Sequence, residues 1–153
     1  MTFSSSIIAR RVRRAAARLA ATFTVMALSG ACMMFSGPPK DLDYSRTRRS
    51  DAGMYSATIK PKGDSIPKGK LQSWTIHLET ASGAPVDSAV VSVDGGMPQH
   101  GHGLPTKPRV TRSLGNGDHL VEGLKFNMGG WWVVKFRVQA PAGTDSVTFN
   151  LKL

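Results

Sequence analysis

Residues 71–78, LQSWTIHL, decide the fold. Trp74, Ile76 and Leu78 recur at every second position, with Thr75, His77 and Glu79 opposite. A period of two puts the apolar set on one face of a pleated strand and the polar set on the other. Such a strand has one side on a core and one in water.

The same pattern continues on the C-terminal side. Trp132, Val134, Phe136 and Val138 share a face in Trp131–Val138, with Lys135 and Arg137 opposite, and Val147, Phe149, Leu151 and Leu153 share one in DSVTFNLKL. Ser88–Val93 and His119–Phe126 read as further strands, Arg109–Ser113 as a weaker one, and the pattern is already β from Gly53 onward. Turn residues separate the runs: ASGAP at 81–85, the long DGGMPQHGHGLPTKP at 94–108, and a Gly/Asn turn over Leu114–Asp118. Sixteen glycines and nine prolines in 153 residues suit such a fold. Past residue 40 no segment has a helical period. About seven short strands joined by turns predict an all-β, Ig-like antiparallel sandwich over residues 52–153.

N-terminal to the strands the composition changes twice. Residues 36–51, SGPPKDLDYSRTRRSD, are polar, charged and without periodicity, and read as a flexible linker. Before them stands a basic region with Arg10, Arg11, Arg13, Arg14 and Arg18, then an uncharged stretch from Leu19 to Pro39 whose most apolar part is LAATFTVMAL. Residues 1–35 therefore read as an N-terminal hydrophobic export or anchor helix. Three fates stay open: cleavage after Ala31, lipid attachment at Cys32 in LSGAC, or retention as a membrane anchor by Leu19–Phe35, at the short edge of a span. Each places the β domain outside the cytoplasm, periplasmic or at the cell surface, with the membrane as a partner through the N-terminus.

The net charge takes a different meaning once the basic region is set apart. Of 20 basic residues five precede the apolar stretch, leaving 15 against 10 acidic ones, so the +10 of the whole chain falls to +5. With no basic-plus-aromatic motif, nucleic acid is not an expected partner. Cys32 is the one cysteine, which excludes an intrachain disulfide and a Cys-based zinc site within one chain. No nucleophile–base pair or nucleotide loop stands out, and no catalytic residue is assigned.

The chemistry-bearing stretch is Met97-Pro98-Gln99-His100-Gly101-His102-Gly103. In an extended chain residues two apart project to one side, so His100 and His102 converge. Met128, in FNMGGWW, joins Met97 and both histidines if the two loops meet at one end of the sandwich. Thioethers with imidazoles form a soft to intermediate donor set that favours copper, Cu(I) above all. Against that, histidines in glycine-rich loops often bond only to backbone, and methionine at a strand start often fills a core. His77 and His119, within strands, are expected to face solvent or pack. Trp131, next to the inward Trp132, is expected to point outward and anchor an interaction.

From Gly83 to Val138 the chain resembles the YtkA-like family, related to FixH-like proteins. The resemblance is carried by GAPVDSAVVSVDGGMPQHGHG, by the Pro105/Pro108 link, and by LGNGDHLVEGLKFNMGGWWVVKFRV with Gly117, Val121, Gly123, Leu124, Phe126, Met128, Gly130 and Trp132. It implies an Ig-like sandwich on the outer side of the membrane, behind an anchor or lipid signal. It also implies a role in copper supply or cytochrome oxidase assembly, with an oxidase-type membrane complex as partner and Met97, His100, His102 and Met128 as metal ligands. The competing expectation is an Ig-like interaction module without metal.

Overall fold

The structure, a computed structural model, describes residues 37–63 and 65–153. The expected N-terminal export or anchor segment, Cys32 included, lies outside them. Among the described residues no helix is long and apolar enough to cross a membrane. The chain divides into two units, Met1–Gly37 and Pro38–Leu153. The second unit holds every strand among the described residues.

Among the described residues, nine strands form two antiparallel sheets. They are β1 (Thr47–Arg49), β2 (Tyr55–Pro61), β3 (Gln72–Thr80), β4 (Val90–Met97), β5 (His102–Gly103), β6 (Arg109–Gly115), β7 (Asp118–Leu124), β8 (Trp131–Ala140) and β9 (Gly143–Lys152). One sheet has the order β1-β2-β3-β7-β6 and the other β5-β4-β8-β9. The two pack face to face as an all-β, Ig-like sandwich.

Alternation in the strands makes the core. Trp74, Ile76 and Leu78 of β3 are buried, as are Tyr55, Ala57 and Ile59 of β2. From the second sheet come Trp132, Val134, Phe136 and Val138 of β8 with Val147, Phe149 and Leu151 of β9. In β8 and β9 the pairing of Val134 with Phe149 and of Phe136 with Val147 puts these inward sets opposite each other. The buried apolar residues all fall between Tyr55 and Leu151 among those described. Pro38–Leu153 thus carries a hydrophobic core of its own, which is what a unit able to fold by itself requires.

One sequence expectation needs correction and another is extended. The first concerns residues 36–51, read as a flexible linker. Thr47–Arg49 instead form β1, in register with Ser56–Thr58 of β2. The Ser50 hydroxyl donates to the Tyr55 carbonyl and accepts the Tyr55 N–H, the Asp51 N–H donates to Ser146, and Asn150 Nδ2 donates to the Asp43 carbonyl. A three-residue edge strand with only polar side chains has no apolar alternation to announce it. Its backbone hydrogen bonds hold it. The domain therefore begins before residue 52. The second is an addition, since the seven strands read from the sequence are all present and two short edge strands join them among the described residues. β1 is one addition and the two-residue β5, inside the long loop, is the other.

Strand direction sorts the connections to two ends. At one end lie the β2–β3 loop (62–71), the β4–β6 connection (98–108) and the β7–β8 loop (125–130), with the end of β9. At the other lie the turns at 50–54, 81–89, 116–117 and 141–142.

Candidate metal centre

β4 runs on through Asp94–Met97, turns over a single 3-10 turn at Pro98–His100, and returns as β5, with Met97 facing His102 and Gly96 facing Gly103. Two glycines make this tight return possible. A Cβ on Gly96 would run into the His102 carbonyl oxygen. Gly101 closes the turn in the left-handed region at φ 64°, where its N–H reaches the Met97 carbonyl at 3.0 Å.

His100 and His102 come together, but not through extended alternation. His100 ends the 3-10 turn, and Gly101 then reverses the backbone so that the two rings meet with centroids 5.8 Å apart and planes 37° apart. Both residues are exposed. Two imidazoles on one ion, each nitrogen about 2 Å from it, have centroids about 5–6 Å apart. The observed spacing fits that range.

His102 is also fixed in tautomer. Its Nδ1 lies 3.0 Å from the Gly103 carbonyl oxygen. A carbonyl only accepts, so Nδ1 carries the proton and the neutral ring keeps its lone pair on Nε2. A ring nitrogen held this way leaves the other free to bind a metal.

The two methionines take different places. Met97 is 1% exposed and belongs to the core, with its methyl near Gly130. Met128 is 42% exposed. Its loop sits at the same end as the hairpin, and Trp132 links the two. The Trp132 Nε1–H donates to the Met128 carbonyl at 3.1 Å, while its ring meets that of His102 with centroids 5.7 Å apart. Behind Trp132 lie Phe126 at 5.2 Å and then Trp74 at 5.7 Å from Phe126, so the surface imidazoles rest on a column of buried rings. The sequence pattern does not disclose this use of Trp132. Its inward position was legible, but its contact with β5 depends on a strand two residues long.

Trp131 does lie on the face opposite Trp132, yet it is only half exposed. Its Nε1–H donates to Asn150 Oδ1 at 3.0 Å, and Asn150 in turn holds Asp43. His119 is buried with Nε2 2.7 Å from the Val86 carbonyl, a core histidine satisfied by backbone. His77, on the outer face of the five-stranded sheet, is held by Asp118 at 2.8 Å and lies 3.5 Å from Glu79. Partial burial works to raise the Asp118 carboxyl, but bonds from Lys60 and His77 outweigh it and hold its pKa below the ordinary value.

The electrostatic setting is uneven. The loops at the hairpin's end carry Lys62, Lys68, Lys70, Lys107 and Lys125, with Lys152 beside them, against Asp64 alone in the sequence. The turns at the far end hold Asp51 and Asp87, are flanked by Arg49, Asp118 and Asp145, and themselves contain no lysine or arginine. Among the described residues no three His, Cys, Asp or Glu side chains form a metal-binding group. The candidate donors near the hairpin are thus imidazole nitrogens and thioether sulfurs in a cationic surround.

The model of the YtkA-like family matches residues 49–137, more than half of the chain. The chain belongs to the YtkA-like family. The match runs from the last residue of β1 through most of β8, and so takes in the Met97–His102 hairpin and Met128. It says nothing of FixH-like proteins. No curated protein matches the chain. Among solved structures, the ZirS C-terminal domain is similar at 10% identity, covering 78% of this chain and 84% of that one, with a TM-score of 0.39. A likeness that loose bears on neither mechanism nor partner.

Proposed function

We propose that this YtkA-like domain binds copper as Cu(I), working outside the cytoplasm in copper supply or in assembly of an oxidase-type membrane complex. Residues 1–35 hold it at the membrane in this reading. The observation that carries it is the His100–His102 pair, 5.8 Å apart, with His102 Nδ1 committed to a carbonyl and Nε2 left for an ion.

The donor chemistry narrows the ion. Imidazole and thioether suit Cu(I), whereas Mg and Ca ask for oxygen ligands. The surrounding lysines point the same way, because a singly charged ion meets half the repulsion of a divalent one. His100 and His102 supply nitrogen, Met128 a thioether from the neighbouring loop, and Met97 a thioether from the core side. The proposed cargo is handed on, and no reaction is assigned to the domain.

The test is an anaerobic Cu(I) titration of Pro38–Leu153 against a competing chelator. One equivalent is expected, lost when His100 and His102 are both replaced by alanine while thermal unfolding stays unchanged. Equal affinity in that double variant refutes the site. Absence of binding in the parent domain refutes the copper reading and leaves an interaction module.

A further inference from the structure

The separation of charge along the strands has a use that metal binding does not require. Three loops from both sheets converge at the hairpin's end and bring Lys62, Lys68, Lys70, Lys107 and Lys125 with them, all exposed except the half-buried Lys125. The loops brace one another there. The Gly69 N–H donates to the Phe126 carbonyl at 2.7 Å, and the Lys68 ammonium lies beside Gly129. Among the lysines stand two exposed apolar side chains, Leu71 at 69% and Met128 at 42%. The opposite end carries aspartates and no basic residue in its turns.

The chain also enters the sandwich near the lysine end. Tyr44, 42% exposed, borders a cleft with Ile66 of the β2–β3 loop and Lys152 of β9. The entering segment is balanced in charge, Lys40 and Arg46 against Asp41 and Asp43, so it leaves the lysine excess in place.

We propose that this end of the domain docks on an anionic lipid surface, the lysines against headgroups and Leu71 and Met128 in the boundary layer. Lysines interleaved with isolated apolar side chains match such a surface, since the stems lie along the apolar boundary while the ammonium groups reach phosphate. The aspartates at the far end are repelled by the same surface, so the attraction also sets orientation. In that orientation the His100–His102 hairpin faces the bilayer. The inference does not depend on copper.

The experiment is flotation of Pro38–Leu153 with vesicles of phosphatidylcholine alone or with about a third phosphatidylglycerol, at about 0.1 M and about 0.5 M salt. Binding is expected only to the anionic vesicles and is weakened by salt. A basic residue near such a surface contributes a factor of about five, and each reversal removes a positive charge and adds a negative one, so Lys68→Glu, Lys70→Glu and Lys107→Glu together weaken binding by at least about a hundredfold. Lys135→Glu, Arg137→Glu and Arg112→Glu together make the same change in net charge on the strands and are expected to have a far smaller effect. Equal losses in the two variants overturn the proposal, because net charge alone then explains the binding. Failure to bind vesicles, with retention on polyglutamate lost in the lysine variant, also overturns it and assigns the end to an acidic protein. Failure to bind either probe overturns it too and reduces the lysines to a solvated surface.

Discussion

The His102 imidazole stands edge-on to the buried Trp132 indole, with planes 68° apart and centroids 5.7 Å apart. Trp132 therefore reports on the hairpin from inside the core. Ion uptake by the imidazoles is expected to change tryptophan emission. Trp132→Phe should abolish that change and Trp131→Phe should preserve it, because Trp131 is turned to the other face and bonded to Asn150. Emission that still responds in Trp132→Phe would mean that the ion sits elsewhere.

Gly130 joins the Met128 loop to β8 at φ 123°, and a Cβ there would lie 2.9 Å from the Met97 methyl. The methyl is the tip of a flexible side chain and can move aside, but the backbone angle cannot be relieved that way. Gly130→Ala is expected to cost about 1–3 kcal/mol in urea unfolding. Met97→Ala in the same background should not restore the loss. A silent Gly130→Ala would show that the backbone angle is not required.

Asp145 ties the β1–β2 turn to β9. Its carboxylate accepts the N–H groups of Ala52, Met54 and Ser146 at 2.7–3.3 Å. Burial works to raise its pKa, but the Ala52, Ser146 and Met54 N–H donors outweigh it and hold the value below the ordinary range. A depressed folded value means stability that is present above the unfolded pKa of about 3.9 and lost as pH falls through the folded one. Asp145→Asn is expected to cost about 1–3 kcal/mol at neutral pH, with the gap to the parent closing below about pH 4. A gap that is constant with pH would rule out the charge as its source.

Beginning the domain at Asp51 removes β1 and its anchors. The Thr47–Thr58 hydroxyl pair, the Ile59 N–H bond to the Arg46 carbonyl, and the Asn150 bond to Asp43 are lost together. Calorimetry is expected to show the midpoint falling by at least about 5 °C relative to Pro38–Leu153. An unchanged midpoint would make residues 38–50 dispensable.

The fold was legible wherever a strand has a wet face and a dry one. Trp74, Ile76 and Leu78 declare β3, and Trp132 to Val138 declare β8, because burial on one side imposes alternation. β1 and β5 could not be read this way. Both lie at sheet edges, expose most of their side chains and are held by backbone pairing that composition does not record. In the candidate site, the nearness of His100 to His102 was legible, but the reason lay in Gly101 and a 3-10 turn. The opposite fates of Met97, in the core, and Met128, at the surface, follow from which face of which element each occupies. The polarity of the two ends needed the strand directions before scattered lysines and aspartates could be assigned to either.

The bond from Asn150 to the Asp43 carbonyl joins residues 107 apart, and Asp145 holds the turn before β2 across more than 90. The first strand of the sandwich is thus completed by the last. Closing so long a loop comes late, since its entropic cost falls before its contacts can form. While the chain is being made, β1 has a partner in β2 but no lock. The domain reaches its final state only after β9 has emerged, and until then a pulling machine can still undo its N-terminal edge.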